Sequence, residues 1–387
     1  MKILQIFNQY LEYGGEEGSV SRIAQQLRSE HTIRTYTYST QELLNSPLGK
    51  LSMPYKMQYN ARVIRDLRGL QEDEQFDFWQ IHNVFPAMSV AVYELAAELG
   101  VPVIQFLHNY RFGCADATYF RGGERCFDCS PSNFFPAIQH RCWRSSFPAT
   151  ISMVATLKRF WLRGGKESIK AFIAISESQK QRHVKMGIAA EHIHVLHHSL
   201  DAGLEYNKPP QNGDVLFIGR LTEEKGLELL LRAWKEVAET KRILRIIGSG
   251  PLEEDLHELC RAEQIGNVKF MGFVDKSQHD AFYKKSAFVV APSVWEEPFG
   301  MVVLEAWKHY RPVLTTNIGS FPDLIDNKKN GWLAPTDRCG FAAVLEKALS
   351  SPAYNEMGVN GHFKLEQQFN TKVWLNKWKS IVESVPH

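Results

Sequence analysis

The chain has 387 residues, 44% of them hydrophobic and 23% charged, with 45 lysines and arginines against 43 aspartates and glutamates. Those figures exclude a disordered, collagenous or coiled-coil chain, and they argue against a dedicated nucleic-acid binder, which carries a marked basic excess. At roughly 150 residues per domain, the length predicts two domains, or three. The opening run, residues 2–7, reads as a buried strand and turns polar too soon for a signal-peptide core. No stretch reaches about 18 uninterrupted apolar residues, so no membrane span is expected and a cytoplasmic chain is. In that compartment six cysteines do not form a disulfide framework.

Along the chain, short apolar runs alternate with longer amphipathic segments. Gly14-Gly15 follows the first strand, then the helical spacing Val20, Ile23, Ala24, Leu27. Residues 32–38 and 76–82 read as strands, 90–99 as a helix, and 102–107, 171–175 and 194–196 as further strands. Residues 207–213, Asn-Lys-Pro-Pro-Gln-Asn-Gly, read as a linker. The pattern then restarts with strands at 214–218, 243–247, 268–270, 287–291 and 313–315. Helices are expected at 227–239 and 252–264. The final segment, 371–384, looks like an amphipathic helix with a heavy aromatic face. Strand then helix, repeated twice over, predicts an α/β fold of two doubly wound, Rossmann-like domains facing a cleft. The expected boundaries are 1–205 and 206–364, with a terminal helical segment at 365–387.

Two constellations carry chemistry. Gly219-Arg220-Leu221-Thr222-Glu223-Glu224-Lys225-Gly226 directly follows a strand. It delivers a planar guanidinium and a compact ammonium to the carboxyl end of a sheet, which suits a diphosphate. A solvated charged loop has the same composition. In Pro292-Ser293-Val294-Trp295-Glu296-Glu297-Pro298-Phe299-Gly300-Met301, a helix is expected to start near Gly300, its free N–H groups facing an anion. Glu305 then lies a turn and a half into that helix, where a carboxylate can accept from both ribose hydroxyls. Glu297 also reads as a simple helix cap.

These two stretches resemble the retaining, nucleotide-sugar-dependent glycosyltransferases of family 4, which have the two-domain GT-B fold. Glu297 and Glu305 match that family's glutamate, seven residues, glutamate motif. Ile247-Gly248-Ser249-Gly250-Pro251, Met271-Gly272-Phe273-Val274 and Gly319-Ser320-Phe321-Pro322-Asp323 follow its order and spacing. The resemblance covers nearly the whole chain, is most specific over residues 214–335, and implies that the terminal helix at 365–387 returns to the first domain. It implies that Arg220 and Lys225 hold the donor diphosphate, Glu305 the ribose and Glu297 the donor sugar. The amides of Phe299, Gly300 and Met301 would meet sugar and phosphate. Gly250 and Val274 also belong to the implied donor site, with the 272–274 backbone beside the base. Gly15, in a glycine-rich loop, would approach the phosphate, and His108 would lie close to the transferred sugar. Two positions depart from the pattern. Asp323 stands where glutamate is usual, and His197-His198 where an asparagine-glycine turn is common.

The implied donor is a UDP- or GDP-sugar, and the implied acceptor a saccharide or lipid-linked saccharide, with no nucleic acid. No Asp-x-Asp motif occurs, so no catalytic metal is expected. A GT-B nucleotide-sugar epimerase and a non-catalytic sugar-nucleotide-binding subunit are the alternatives.

Two features remain outside the motifs. Cys114, Cys126, Cys129 and Cys142 cluster in a segment, 111–148, that reads as an insertion, and their spacing fits a four-sulfur structural zinc site. Free or redox-active thiols fit it too. From Arg141 to Lys185 there are ten lysines and arginines against two glutamates. Within this span, 153–162 reads as a helix at an anionic cytoplasmic membrane face or over a lipid-diphosphate acceptor, or as a domain helix with a solvated charged face.

Overall fold

The computed structural model describes residues 1–10, 15–45, 49–163, 168–237 and 241–385. The chain divides into two compact units. One comprises 1–119, 126–196 and 375–387; the other comprises 120–125 and 197–374. Among the described residues, no helix is long and apolar enough to cross a membrane.

The N-terminal unit holds a six-stranded sheet. Its strands are β1 (Lys2–Gln9), β2 (Thr32–Ser39), β3 (Phe78–Asn83), β4 (Val103–Leu107), β5 (Ile169–Ala174) and β6 (Ile193–Val195), in the order β2-β1-β3-β4-β5-β6. Every pairing is parallel. β3 and β4 are buried along their whole length, as a sheet covered on both faces requires. β2, at the edge, is mostly open to solvent. The terminal helix Thr371–Ser384 brings Trp378 onto this sheet, against His31 and Phe78 at centroid distances of 5.1 and 6.2 Å.

The C-terminal unit repeats the plan. β7 (Asp214–Ile218), β8 (Leu244–Ile247), β9 (Val268–Phe270), β10 (Ser286–Ala291), β11 (Val313–Thr316) and β12 (Gly331–Ala334) form a parallel sheet in the order β9-β8-β7-β10-β11-β12. Helix Leu227–Glu236 buries Leu227, Leu230, Leu231 and Trp234 at helical spacing. The sheet order reverses between β7 and β10, the place where ligands bind at the carboxyl ends of such sheets. Both sequence constellations leave the sheet there, one from β7 and one from β10.

The 207–213 stretch, read as a linker, is held within this unit. Arg311 donates to the Asn207 carbonyl at 2.7 Å, and Arg242 to the Gly213 carbonyl at 3.1 Å. The periodicity also passed over several elements. They include helices Thr40–Asn45, Gly49–Gln58 and Ala61–Glu74, and the four-residue strand β12.

Candidate active site

The residues expected to hold the donor sit on loops stapled to one another. Val294 N–H donates to the Glu224 carbonyl at 2.9 Å, and Leu221 N–H to the Ser249 carbonyl at 3.0 Å. Gly226 takes a left-handed conformation, φ 70°, and a Cβ there would lie 2.0 Å from the Pro292 carbonyl oxygen. Only glycine permits this approach, and the approach holds the β7 loop against the β10 loop.

Lys225 Nζ donates to Glu297 Oε2 at 2.7 Å. The same oxygen accepts from Ser293 Oγ at 3.0 Å and from Trp295 Nε1 at 3.1 Å. Burial pushes the Glu297 carboxyl up, but the Lys225 ammonium and these donors outweigh it and hold it below the usual range. Glu297 is therefore an oriented anion, not a generic cap. Lys225 lies 5.2 Å from the Trp295 ring centroid. Arg220 is exposed and pairs with Glu224 at 3.0 Å.

The helix expected near Gly300 is Met301–Lys308. Gly300 precedes it with φ 86°, and a Cβ there would lie 2.6 Å from the Phe321 ring. Phe299 is buried against His198 and His197, the pair that departs from the family turn, at centroid distances of 5.1 and 6.0 Å. Glu305 accepts from Lys276 Nζ at 2.9 Å and from Tyr283 Oη at 3.4 Å. Gly250 has a packing reason of its own, since a Cβ would meet the Leu221 carbonyl oxygen at 2.5 Å. Val274 is half-buried and its carbonyl meets His279 Nε2 at 3.0 Å. Beside it Phe273 is exposed, an aromatic face that the sequence reading did not single out.

In the N-terminal unit, Gly14 lies outside the described residues. Gly15 opens helix Gly15–Leu27, and a Cβ on it would meet nothing within 4 Å, so packing alone does not demand glycine there. Glu16 was not anticipated. Burial and the neighbouring Glu17 push its carboxyl up to about 8, so it is largely protonated at neutral pH. Its Oε2 meets Asn109 Nδ2 at 3.2 Å.

His108 follows β4 and ends a buried row of polar groups. Trp378 Nε1 meets Gln80 Oε1 at 3.3 Å, Gln80 Nε2 meets His82 Nε2 at 3.2 Å, and His82 Nδ1 meets His108 Nε2 at 2.8 Å. An indole N–H can only donate, so it fixes which end of the Gln80 amide is oxygen. The Gln80 nitrogen then donates to His82 Nε2, and His82 Nδ1–H donates to His108 Nε2. The proton of a neutral His108 accordingly sits on Nδ1. Burial first, and then the Arg22 charge, push its pKa down to about 3, so the ring is neutral at ordinary pH.

The four clustered cysteines are free thiols. Burial pushes Cys129 up to about 12, and the other three thiols add to that shift. Nonetheless, among the described residues no group of three or more His, Cys, Asp or Glu side chains is arranged to hold a metal ion. Cys114 packs with Tyr110, Tyr119 and Met186, whereas Cys129 and Cys142 pack against the main N-terminal core.

Comparison with known proteins matches residues 13–203 to the family model "Glycosyltransferase Family 4" and residues 205–362 to "Glycosyl transferases group 1". An uncharacterized glycosyltransferase of Methanocaldococcus jannaschii is 38% identical over 151 residues, 38% of each chain. The O-antigen chain mannosyltransferase C of Escherichia coli is 28% identical over 178 residues, 44% of this chain and 47% of that one. The chain thus spans under half the length of these curated relatives. Among solved structures, HepE of Anabaena superposes with a TM-score of 0.70 at 18% identity, covering all of both chains. TarM of S. aureus superposes with a TM-score of 0.70 at 12% identity, over 99% of this chain and 100% of that one. The two parallel six-stranded sheets, the ordered motifs on their loops and these matches together place the chain in glycosyltransferase family 4, with the GT-B fold.

Proposed function

We propose that this protein transfers a sugar from a nucleotide-diphosphate sugar to a saccharide or lipid-linked saccharide acceptor, with retention of configuration and without a catalytic metal. The observation that carries the proposal is the Lys225–Glu297 pair beside the helix that starts after Gly300, at the point where the sheet order reverses. An ammonium has three donors and Glu297 takes one of them, so the same nitrogen can reach an anion. Lys225, Arg220 and the first amides of helix Met301–Lys308 stabilise the departing diphosphate electrostatically. Glu297 orients sugar hydroxyls, Glu305 takes the ribose, and Phe273 offers a stacking face to the base beside 272–274. By the family pattern, Gly15 is assigned to the donor phosphate and His108 to the transferred sugar. The structures of Anabaena HepE hold UDP or UDP-glucose, which supports a donor of this class.

A screen of UDP- and GDP-sugars for slow donor hydrolysis tests this reading. Release of nucleoside diphosphate from at least one donor, persisting in strong chelator, is the expected result. An epimerised donor would point to an epimerase, and binding without turnover to a non-catalytic subunit. Loss of activity in chelator with recovery by magnesium would remove the metal-independent mechanism.

We also carry a structural zinc at Cys114, Cys126, Cys129 and Cys142 as a proposal, resting on their spacing and the mutual influence of the thiols. Metal analysis of the purified protein is expected to find stoichiometric zinc, and its absence removes the assignment.

A further inference from the structure

Two stretches of the chain contain no acidic residue at all. One runs from Leu43 to Arg65 and the other from Cys129 to Lys166, and together they hold ten lysines and arginines. At the chain's average of 43 acids in 387 residues, about seven would fall there. The fold puts these stretches side by side. Helices Gly49–Gln58 and Phe147–Leu162 pack together in the N-terminal unit, and Gln58 Nε2 donates to Thr156 Oγ1 at 2.8 Å.

Both helices turn large apolar side chains outward. On Phe147–Leu162 the buried face carries Thr150, Met153, Val154, Leu157 and Phe160. The opposite face presents Phe147, Ile151, Ala155, Lys158 and Leu162 at helical spacing, all exposed. On Gly49–Gln58 the exposed positions include Leu51 and Tyr55. Leu51 is 81% exposed and Leu162 is 80% exposed. A soluble helix normally sets charged residues on such a face. Arg144 and Arg163 are exposed just outside the two ends of the longer helix.

We propose that this paired-helix face is a docking surface for an anionic phospholipid membrane. Exposed Leu, Ile, Phe and Tyr side chains enter the headgroup boundary, while the exposed cations Arg144, Lys158 and Arg163 meet lipid phosphates; Arg159 and Arg62 are already paired, with Glu94 and with Glu42. Complementary charge selects the partner: a stretch stripped of acids gains nothing in water but avoids repulsion at a negative surface. The inference does not depend on the donor chemistry proposed above.

Co-sedimentation of the full chain with vesicles rich in phosphatidylglycerol, beside vesicles of phosphatidylcholine alone, tests it. Binding to the anionic vesicles is expected, weakened by salt because screening acts within about 8 Å at physiological ionic strength. The double variant Leu51→Ser/Leu162→Ser is expected to bind at least about tenfold more weakly, with an unchanged melting temperature because both residues are exposed. Lys158→Glu is expected to weaken binding to the anionic vesicles only. The proposal is overturned if the wild-type chain stays in the supernatant, if it binds both vesicles alike, or if the double variant binds as the wild type does. Light scattering that finds a dimer in the wild type and a monomer in the double variant would assign the face to a second copy instead, and overturn it as well.

Discussion

Lys225→Ala is expected to lower turnover about 10²–10³-fold, the cost of removing one preorganised charge from a site where negative charge develops. Lys225 stands to act in two ways. In the proposed site its ammonium faces the diphosphate, and it is also the counter-ion of buried Glu297. Without it, Glu297 loses the charge that holds its carboxyl low and takes up a proton more readily. The variant should therefore lose both diphosphate binding and the fixed orientation of Glu297. Glu297→Gln separates the two contributions, because it keeps Lys225 while removing the anion. If diphosphate binding is the larger part, UDP or GDP affinity falls in Lys225→Ala and survives in Glu297→Gln. Near-wild-type turnover in purified Lys225→Ala would sink the donor-site assignment.

The largest expected effect on stability lies elsewhere in the C-terminal unit. Arg311 is wholly inaccessible to solvent. Its Nε donates to the Tyr283 carbonyl at 2.7 Å, and its Nη1 to the Asn207 and His309 carbonyls, each at 2.7 Å. Its Nη2 donates to the Lys284 carbonyl at 3.0 Å and to the Asn207 side chain. One guanidinium thus satisfies four backbone carbonyls from three separate stretches of chain. Burial costs the charge enough to push its pKa down to about 10, yet it stays protonated at neutral pH. Arg311→Met fills a similar volume and leaves those acceptors without donors. A loss of about 3–5 kcal/mol is expected from urea unfolding. A loss under about 1 kcal/mol would contradict the view that Arg311 ties these segments together.

Neither Arg311 nor the His108 row could be read from the sequence, for a common reason. Local spacing reports what adjacent residues do, and these groups are assembled from distant ones. Trp378 meets Gln80 across 298 positions, and Arg311 meets Asn207 across 104. The loops after β7 and β10 were legible because their backbone requirements are local. Gly226 and Gly300 are needed where the backbone turns left-handed, and each stands one residue from the cation or helix it positions. The strands were legible because a sheet covered on both faces needs short, nearly unbroken apolar runs. β12 was missed because it begins with glycine and is framed by turn formers, Asn330 before it and Pro335 after it. Helix Gly49–Gln58 was missed because it carries an internal proline and spends its apolar residues on both faces. Which core each clustered thiol packs against was not legible either, because spacing alone does not carry that information.

Equilibrium titration of the purified protein with UDP and with GDP tests the central claim most directly. The account predicts one site per chain for at least one of the two, lost or greatly weakened in Arg220→Ala/Lys225→Ala while the variant's melting curve stays cooperative. Absence of binding by both nucleotides, or binding that the double variant leaves unchanged, would contradict it.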